Sequence, residues 1–171
     1  MTISAVLPAP DTVYGDLTDF AIAEALAVIE ERRQRQELYE RLYGPTEYDP
    51  RTHALTILPY QVRAIMTPAA LGESMLETLG GRRLPIYTVA GRGNPLRWVF
   101  LTQPPTADDD LVQLAREILM VPATALGPGG ELALPTPGDD RRVWKFGVPD
   151  RSTEPPAYAE AVRAATGGRR A

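Results

Sequence analysis

The feature that most constrains this fold is a short apolar run, Trp-Val-Phe-Leu, at residues 98–101. It lies inside a predicted strand, 96–102, that Gln103-Pro104 ends. Alternate side chains of a strand point to opposite faces, so an unbroken apolar run is typical of a strand covered on both faces. The sequence therefore predicts a central strand with other elements packed on each side of it.

Shorter elements, separated by proline and glycine turns, surround this strand. Further strands are predicted at 54–58, 61–66, 85–90, 121–125, 131–134 and 142–146, and helices at 69–79 and 108–120. The strands at 131–134 and 142–146 are predicted to form a hairpin. Because strands and helices mix without strict β-α-β alternation, the pattern predicts an α+β fold with a single mixed sheet of about five or six strands, flanking helices and a long N-terminal helix. The predicted divisions are a flexible arm at 1–15, the long helix at 16–44, an α+β domain at 45–149, and a linker with a short helix at 150–171.

Composition narrows the classes of protein to which the chain can belong. Its 171 residues include no cysteine, which excludes disulfides, thiolate metal sites and thiol nucleophiles and fits a reducing cytoplasm. The net charge of −4 argues against a general nucleic-acid coat but leaves room for a local basic patch. No stretch of eighteen apolar residues occurs, and the N-terminus lacks the basic start of a signal peptide, so we expect a cytoplasmic protein that does not enter a membrane.

A long helix is predicted from Asp16 or Thr18 to Tyr43. It would be about 40 Å long, more than a domain of this size needs to cover a sheet. Its first half, 20–29, carries one charge, Glu24, and is apolar nearly all round. Two interpretations stay open: the helix packs wholly on its own domain, or part of it packs against a second copy in a homo-oligomer. The candidate residues for such self-association are Phe20, Ile22, Leu26, Ile29, Leu38 and Leu42.

Asp108-Asp109-Asp110 is the only carboxylate cluster in the sequence. Three adjacent aspartates could share a divalent cation in a phosphotransfer enzyme. They also stand at the start of a predicted helix, where an acidic side chain caps free N–H groups and meets the positive end of the helix dipole. We adopt the helix-start interpretation and assign no catalytic residue, no metal ligand and no cofactor.

His53 is the only histidine, so any histidine-dependent general base would depend on it. It lies between a proline turn and a strand, with no acidic neighbour closer than Asp49, which is typical of an ordinary strand-edge residue. Glycine-rich segments at 91–94 and 127–130 lack the lysine and hydroxyl residues of a phosphate loop and are interpreted as turns between strands.

Basic and aromatic residues accumulate near the ends of the predicted strands. Together with Trp98, Trp144 and Phe146, the basic side chains could form a surface that stacks single-stranded bases. The alternative is that the aromatic rings point into the core while the basic side chains are only solvated. The basic residues considered for contact with nucleic acid or a protein partner are Arg92, Arg97, Arg141, Arg142 and Lys145.

Several segments between residues 54 and 149 resemble the N-terminal domain of the bifunctional DNA primase/polymerase (prim-pol) family and its small actinobacterial relatives. They are Met-Thr-Pro-Ala-Ala-Leu-Gly at 66–72, Arg-Trp-Val-Phe-Leu-Thr at 97–102, Gly-Glu-Leu-Ala-Leu-Pro at 130–135, and Val143-Trp144. The resemblance implies that the last two segments form the closing hairpin of that domain. An actinobacterial source also agrees with the basic residues, of which all but Lys145 are arginine.

The chain departs from the family at the catalytic positions. An active member needs Asp-x-Asp at a strand end and a histidine that follows a small residue at the second preceding position. Here the aspartates stand at a helix start, and Arg51 is the residue two before His53. The resemblance therefore implies a shared scaffold that has lost nucleotidyl transfer.

Together these patterns predict a non-catalytic cytoplasmic binding or regulatory domain that acts in DNA metabolism through contacts with a protein or with DNA. Two alternatives stay open. One is a metal-dependent nucleotidyl- or phosphotransfer enzyme that uses the cluster from Asp108 to Asp110. The other is a structural component of a phage, plasmid or larger assembly.

Overall fold

The computed structural model describes residues 13–91 and 93–167, so most of the predicted arm at 1–15 lies outside the described residues. These residues form four helices: α1 (Val13–Tyr43), α2 (Ala69–Thr78), α3 (Leu111–Leu119) and α4 (Tyr158–Ala165). They form eight strands: β1 (Thr46–Asp49), β2 (Ala54–Ile57), β3 (Arg63–Pro68), β4 (Ile86–Gly91), β5 (Asn94–Thr102), β6 (Thr124–Leu126), β7 (Leu132–Leu134) and β8 (Arg142–Trp144). Within this part of the chain, no helix combines the length and apolar content needed to cross a membrane.

The α+β class is confirmed, but the described strands divide between two antiparallel sheets where a single mixed sheet was predicted. One sheet has the strand order β1-β2-β7, and the other has the order β6-β3-β5-β4-β8. The predicted hairpin at 131–134 and 142–146 is wrong, because β7 pairs with β2 while β8 pairs with β4. After β7 the chain stays attached to the three-stranded sheet, since the Leu55 N–H donates to Thr136 Oγ1 at 2.7 Å. It therefore cannot fold straight back on β7 as a tight hairpin would.

The central strand β5 is covered on both faces, as predicted. Trp98 and Phe100 point into a core shared with α2, α3 and α4, whereas Val99 and Leu101 point into a second core. That second core lies between the two sheets and is closed by the end of α1. The result is a layered arrangement of helices, five-stranded sheet and three-stranded sheet.

The second half of α1 is anchored in the core between the sheets through Tyr39 and Tyr43, which are 0% and 3% exposed. Tyr39 Oη donates to the Pro135 carbonyl at 2.6 Å and accepts from Trp144 Nε1 at 2.7 Å. Pro135 directly follows β7 and Trp144 belongs to β8, so one tyrosine joins the helix to both sheets. Buried hydroxyl and indole groups need such partners, and these bonds fix the position of α1.

Candidate functional site

Between residues 20 and 29, α1 exposes most of its apolar side chains. Every residue from 20 to 27 is exposed, although the second half of the same helix is anchored in the core. Phe20, Ile22, Leu26 and Ile29 keep 69%, 53%, 60% and 57% of their surface accessible. Single exposed apolar residues are ordinary on a protein surface, but four within one short helical segment are more than solvent exposure alone would favour.

Three of these four residues form one line along the helix. Ile22, Leu26 and Ile29 are separated by four and then three residues, the spacing with which coiled-coil residues meet a partner helix. Phe20 lies on another side, because two residues of an α-helix turn through about 200°. We call Ile22, Leu26 and Ile29 the α1 stripe.

The other two residues considered for self-association are placed differently. Leu38 and Leu42 are partly buried and pack against the core between the two sheets, next to Tyr39 and Tyr43. They belong to the domain's own core because this half of α1 must cover the gap between the sheets. The structure thus divides the six residues into an exposed group and a core group.

The charges in the middle of α1 are paired along the helix. Arg33 forms ion pairs with Glu30 and Glu37, and Arg35 pairs with Glu31. Hydrogen bonds from Arg33 and Gln34 lower the pKa of Glu30 to about 2. The pairs of Arg33 are exposed and contribute little to stability, but together with the Arg35 pair they leave few free charges beside the stripe.

The basic residues singled out in the sequence do not form one surface. Arg97 and Arg142 both pair with Val89 in neighbouring strands, so they lie on one face of the five-stranded sheet. Lys145 lies against the ring of Trp98, which belongs to the opposite face, with Nζ 3.9 Å from the ring centroid. Arg92 lies outside the described residues.

Both tryptophan rings are engaged inside the protein. Trp98 is 3% exposed, and a Cβ added to Gly72 of α2 would lie 2.7 Å from its ring. Trp144 is 8% exposed and meets the Tyr87 ring edge-on, with the centroids 5.3 Å apart. Neither ring offers a free face to a nucleic-acid base, so of the two interpretations of these aromatic residues the structure favours core packing.

The aspartate cluster starts α3, as interpreted from the sequence. Asp110 Oδ1 accepts from the Gln113 N–H at 3.0 Å and caps the helix, while Asp109 Oδ2 accepts from the Thr106 N–H at 2.7 Å. Two of the three carboxylates therefore hold backbone groups of their own segment. In the described part of the chain, no group of three or more acidic or histidine side chains is arranged to hold a metal ion.

Arg141 and Arg142 line a cleft of about 960 Å³ together with His53 and with Arg32 of α1. His53 has a positive φ of 53°, and its Nδ1 lies 3.1 Å from Tyr48 Oη. It lies in the turn directly before β2, as the sequence indicated, and it is also exposed at the rim of the cleft. The sequence did not reveal Arg32, because only the folding of α1 beside the loop 138–142 brings it near Arg141.

Comparisons of the chain with protein-family models, with curated proteins and with solved structures gave no match. The resemblance to the prim-pol family therefore stays a prediction. The closing hairpin that it implies at 130–135 and Val143-Trp144 is not formed, because those strands belong to different sheets.

Proposed function

We propose that this chain is a non-catalytic binding domain that self-associates through the α1 stripe. The observation that carries the proposal is the exposure of every residue from 20 to 27 on a helix whose other half is anchored in the core. An apolar segment of this kind is costly to leave in water. A partner helix that covered it would remove that cost.

A second copy of the same chain is the partner that these residues favour. The stripe itself is uncharged, and Glu24 is the only charge in 20–29, so two copies can meet without dense like-charge repulsion. The nearby charges on Arg33 are already paired within the helix and provide no pattern for selecting an oppositely charged partner. In a twofold contact each stripe residue is buried in both copies, which doubles its contribution.

The expectation that such a dimer acts in DNA metabolism rests on the prim-pol resemblance. The role in DNA metabolism is therefore proposed in addition to self-association, and self-association can be tested without it. A dimer would present two identical domains, each with its own basic residues, to a protein or nucleic-acid partner.

Molar mass measured by light scattering across a concentration series tests the proposal. We expect the full chain to form a dimer and the triple variant Ile22→Gln, Leu26→Gln, Ile29→Gln to stay monomeric. The matched control is the triple variant Leu111→Gln, Val112→Gln, Leu119→Gln, which changes three exposed apolar residues of α3 and should remain dimeric. A full chain that is monomeric at about 100 μM, or a control that loses the dimer equally, would contradict self-association through α1.

A further inference from the structure

The cleft beside α1 carries an excess of positive charge in a chain whose net charge is −4. Its lining includes three arginines, two aspartates and one histidine: Arg32, Arg141, Arg142, Asp139, Asp140 and His53. These residues come from α1, from the turn between β1 and β2, from the loop before β8, and from the first residue of β8. The cleft volume, about 960 Å³, is within the range of sites that hold a small organic ligand.

Arg32 is the least satisfied basic group in the cleft. Its guanidinium carbon lies 4.2 Å from the centroid of the Tyr48 ring, a cation–π contact that fixes the side chain. Its Nε is buried and has no hydrogen-bond partner. Among the described residues, Arg33 and Arg35 form ion pairs along the helix, whereas Arg32 forms none. Because Arg32 lines the cleft and its charge is not paired by any residue that the structure describes, its guanidinium is suited to an acceptor that enters the cleft.

The other two arginines are held in place by Asp139, whose side chain is only 2% exposed. Its Oδ1 accepts from the Arg141 backbone N–H at 3.0 Å and lies 3.5 Å from Arg141 Nε, while its Oδ2 accepts from Arg142 Nη1. Arg141 Nη2 also donates to the Thr52 carbonyl at 3.3 Å, yet its side chain remains 54% exposed. Asp139 is therefore a buried anchor, and Arg141 keeps donors that face solvent. This arrangement orients the arginines before any ligand arrives.

We propose that this cleft binds a phosphate group, with Arg32 and Arg141 as its donors, on a ligand of about the size of a mononucleotide. Guanidinium groups match phosphate because their planar set of N–H donors can meet two oxygens at once. Asp139 does not oppose such a ligand, because its charge is already paired with Arg141 and Arg142. Asp140 is the remaining acidic group, and it is exposed at the rim. Two sources supply a phosphate of this kind: a free nucleotide and the backbone of DNA.

Isothermal titration calorimetry at low ionic strength tests this site with three probes: pyrophosphate, dATP and a single-stranded DNA 12-mer. We expect the full chain to bind at least one probe, and Arg141→Gln and Arg32→Gln each to weaken that binding by about tenfold or more. The matched control is Arg116→Gln, which removes an exposed arginine of α3 outside the cleft and should change affinity by less than about twofold. Affinity should also fall as salt is added.

The outcomes separate the two sources of phosphate. Binding of pyrophosphate and dATP would assign the site to a free nucleotide, whereas binding of the 12-mer alone would assign it to a DNA backbone. No heat with any probe at about 10 mM, unchanged binding by Arg141→Gln, or an equal loss with Arg116→Gln would overturn the proposal. Arg141 is exposed, so its variant should fold even if Arg32→Gln loosens α1; thermal unfolding checks both.

Binding at this cleft does not depend on self-association, because all of its lining residues belong to one chain. The triple variant of the α1 stripe should therefore bind the same probes as the full chain. Failure of one proposal can thus be told apart from failure of the other.

Discussion

Truncating Leu26 to alanine should weaken self-association strongly while leaving the fold of the monomer unchanged. Burying a whole leucine side chain contributes about 1.5–3 kcal/mol. Leu26 is 60% exposed, so a partner can bury roughly that share, or about 1–2 kcal/mol per copy. Because a symmetric dimer contains the residue twice, the expected loss is about 2–4 kcal/mol, which corresponds to a Kd raised roughly 30- to 800-fold.

Sedimentation equilibrium over a concentration series measures this change directly. Alanine keeps the helix propensity of the position, so a loss of association cannot be ascribed to a broken helix. Leu119→Ala is the matched control, because it makes the same substitution at an exposed leucine of α3. Leu119 is 80% exposed, so its truncation removes at least as much exposed apolar surface as Leu26→Ala does. Circular dichroism should show the same helix content for both variants.

A change in the Kd of less than about threefold for Leu26→Ala would refute the proposed contact, because burial of this much leucine surface requires a much larger loss of affinity. Equal weakening of association by Leu119→Ala would also refute it, since that result would indicate general apolar adhesion without a role for the stripe. A loss confined to Leu26→Ala would support the contact proposed for α1.

Three further predictions concern the core. Tyr39→Phe should lower the free energy of unfolding, measured by urea denaturation, by about 2–4 kcal/mol, because the Pro135 carbonyl and the Trp144 indole N–H both lose the hydroxyl that they share. The control is Tyr60→Phe at an exposed tyrosine, which should change that free energy by less than about 0.5 kcal/mol. Gly72→Ala should destabilise the protein by about 1–3 kcal/mol, because the new Cβ would lie 2.7 Å from the buried Trp98 indole. Glycine to alanine usually stabilises a helix, so a stabilised variant would contradict the close packing of α2 on Trp98. Burial raises the pKa of Tyr43 above its ordinary value of 10.0, so the stability that the neutral phenol contributes should be fully present below about pH 10 and fall above it. If a Tyr43→Phe variant loses stability as steeply above about pH 10, another group is responsible.

The parts of the fold that follow from local patterns were predictable. The apolar run at 98–101 predicted a strand covered on both faces, and the aspartates predicted the start of α3. Both predictions were possible because burial requires apolar residues and helix capping requires short polar ones at definite positions in the sequence. β1 (Thr46–Asp49) was missed because it is short and ends in a residue that also begins a proline turn. In the structure Asp49 does both, since it pairs with Ala54 and accepts from the Arg51 N–H at 2.8 Å.

The division into two sheets could not be predicted, because the apolar pattern of a short strand does not identify its partner. β7 has the same alternation of leucine and alanine whether it pairs with β8 or with β2. The hydrogen bond between the Leu55 N–H and Thr136 also cannot be recognised from the residues around either position. The same limit applies to the cleft, whose arginines are distant along the chain. One signal was available for Arg32: it lies on the side of α1 that continues to Tyr39 and Tyr43, where a charged residue is unexpected.

The pairing of β2 with β7 has a consequence for the order in which the protein folds. It joins Leu55, made early in synthesis, to Leu134, made late, and such distant pairings form slowly because a long loop must close first. The hydrogen bond from Tyr39 can likewise form only after this later segment has been synthesised, because its acceptor is the carbonyl of Pro135. Until that segment leaves the ribosome, the core-facing half of α1 lacks part of its cover, so the growing chain exposes apolar helix surface that the folded monomer buries.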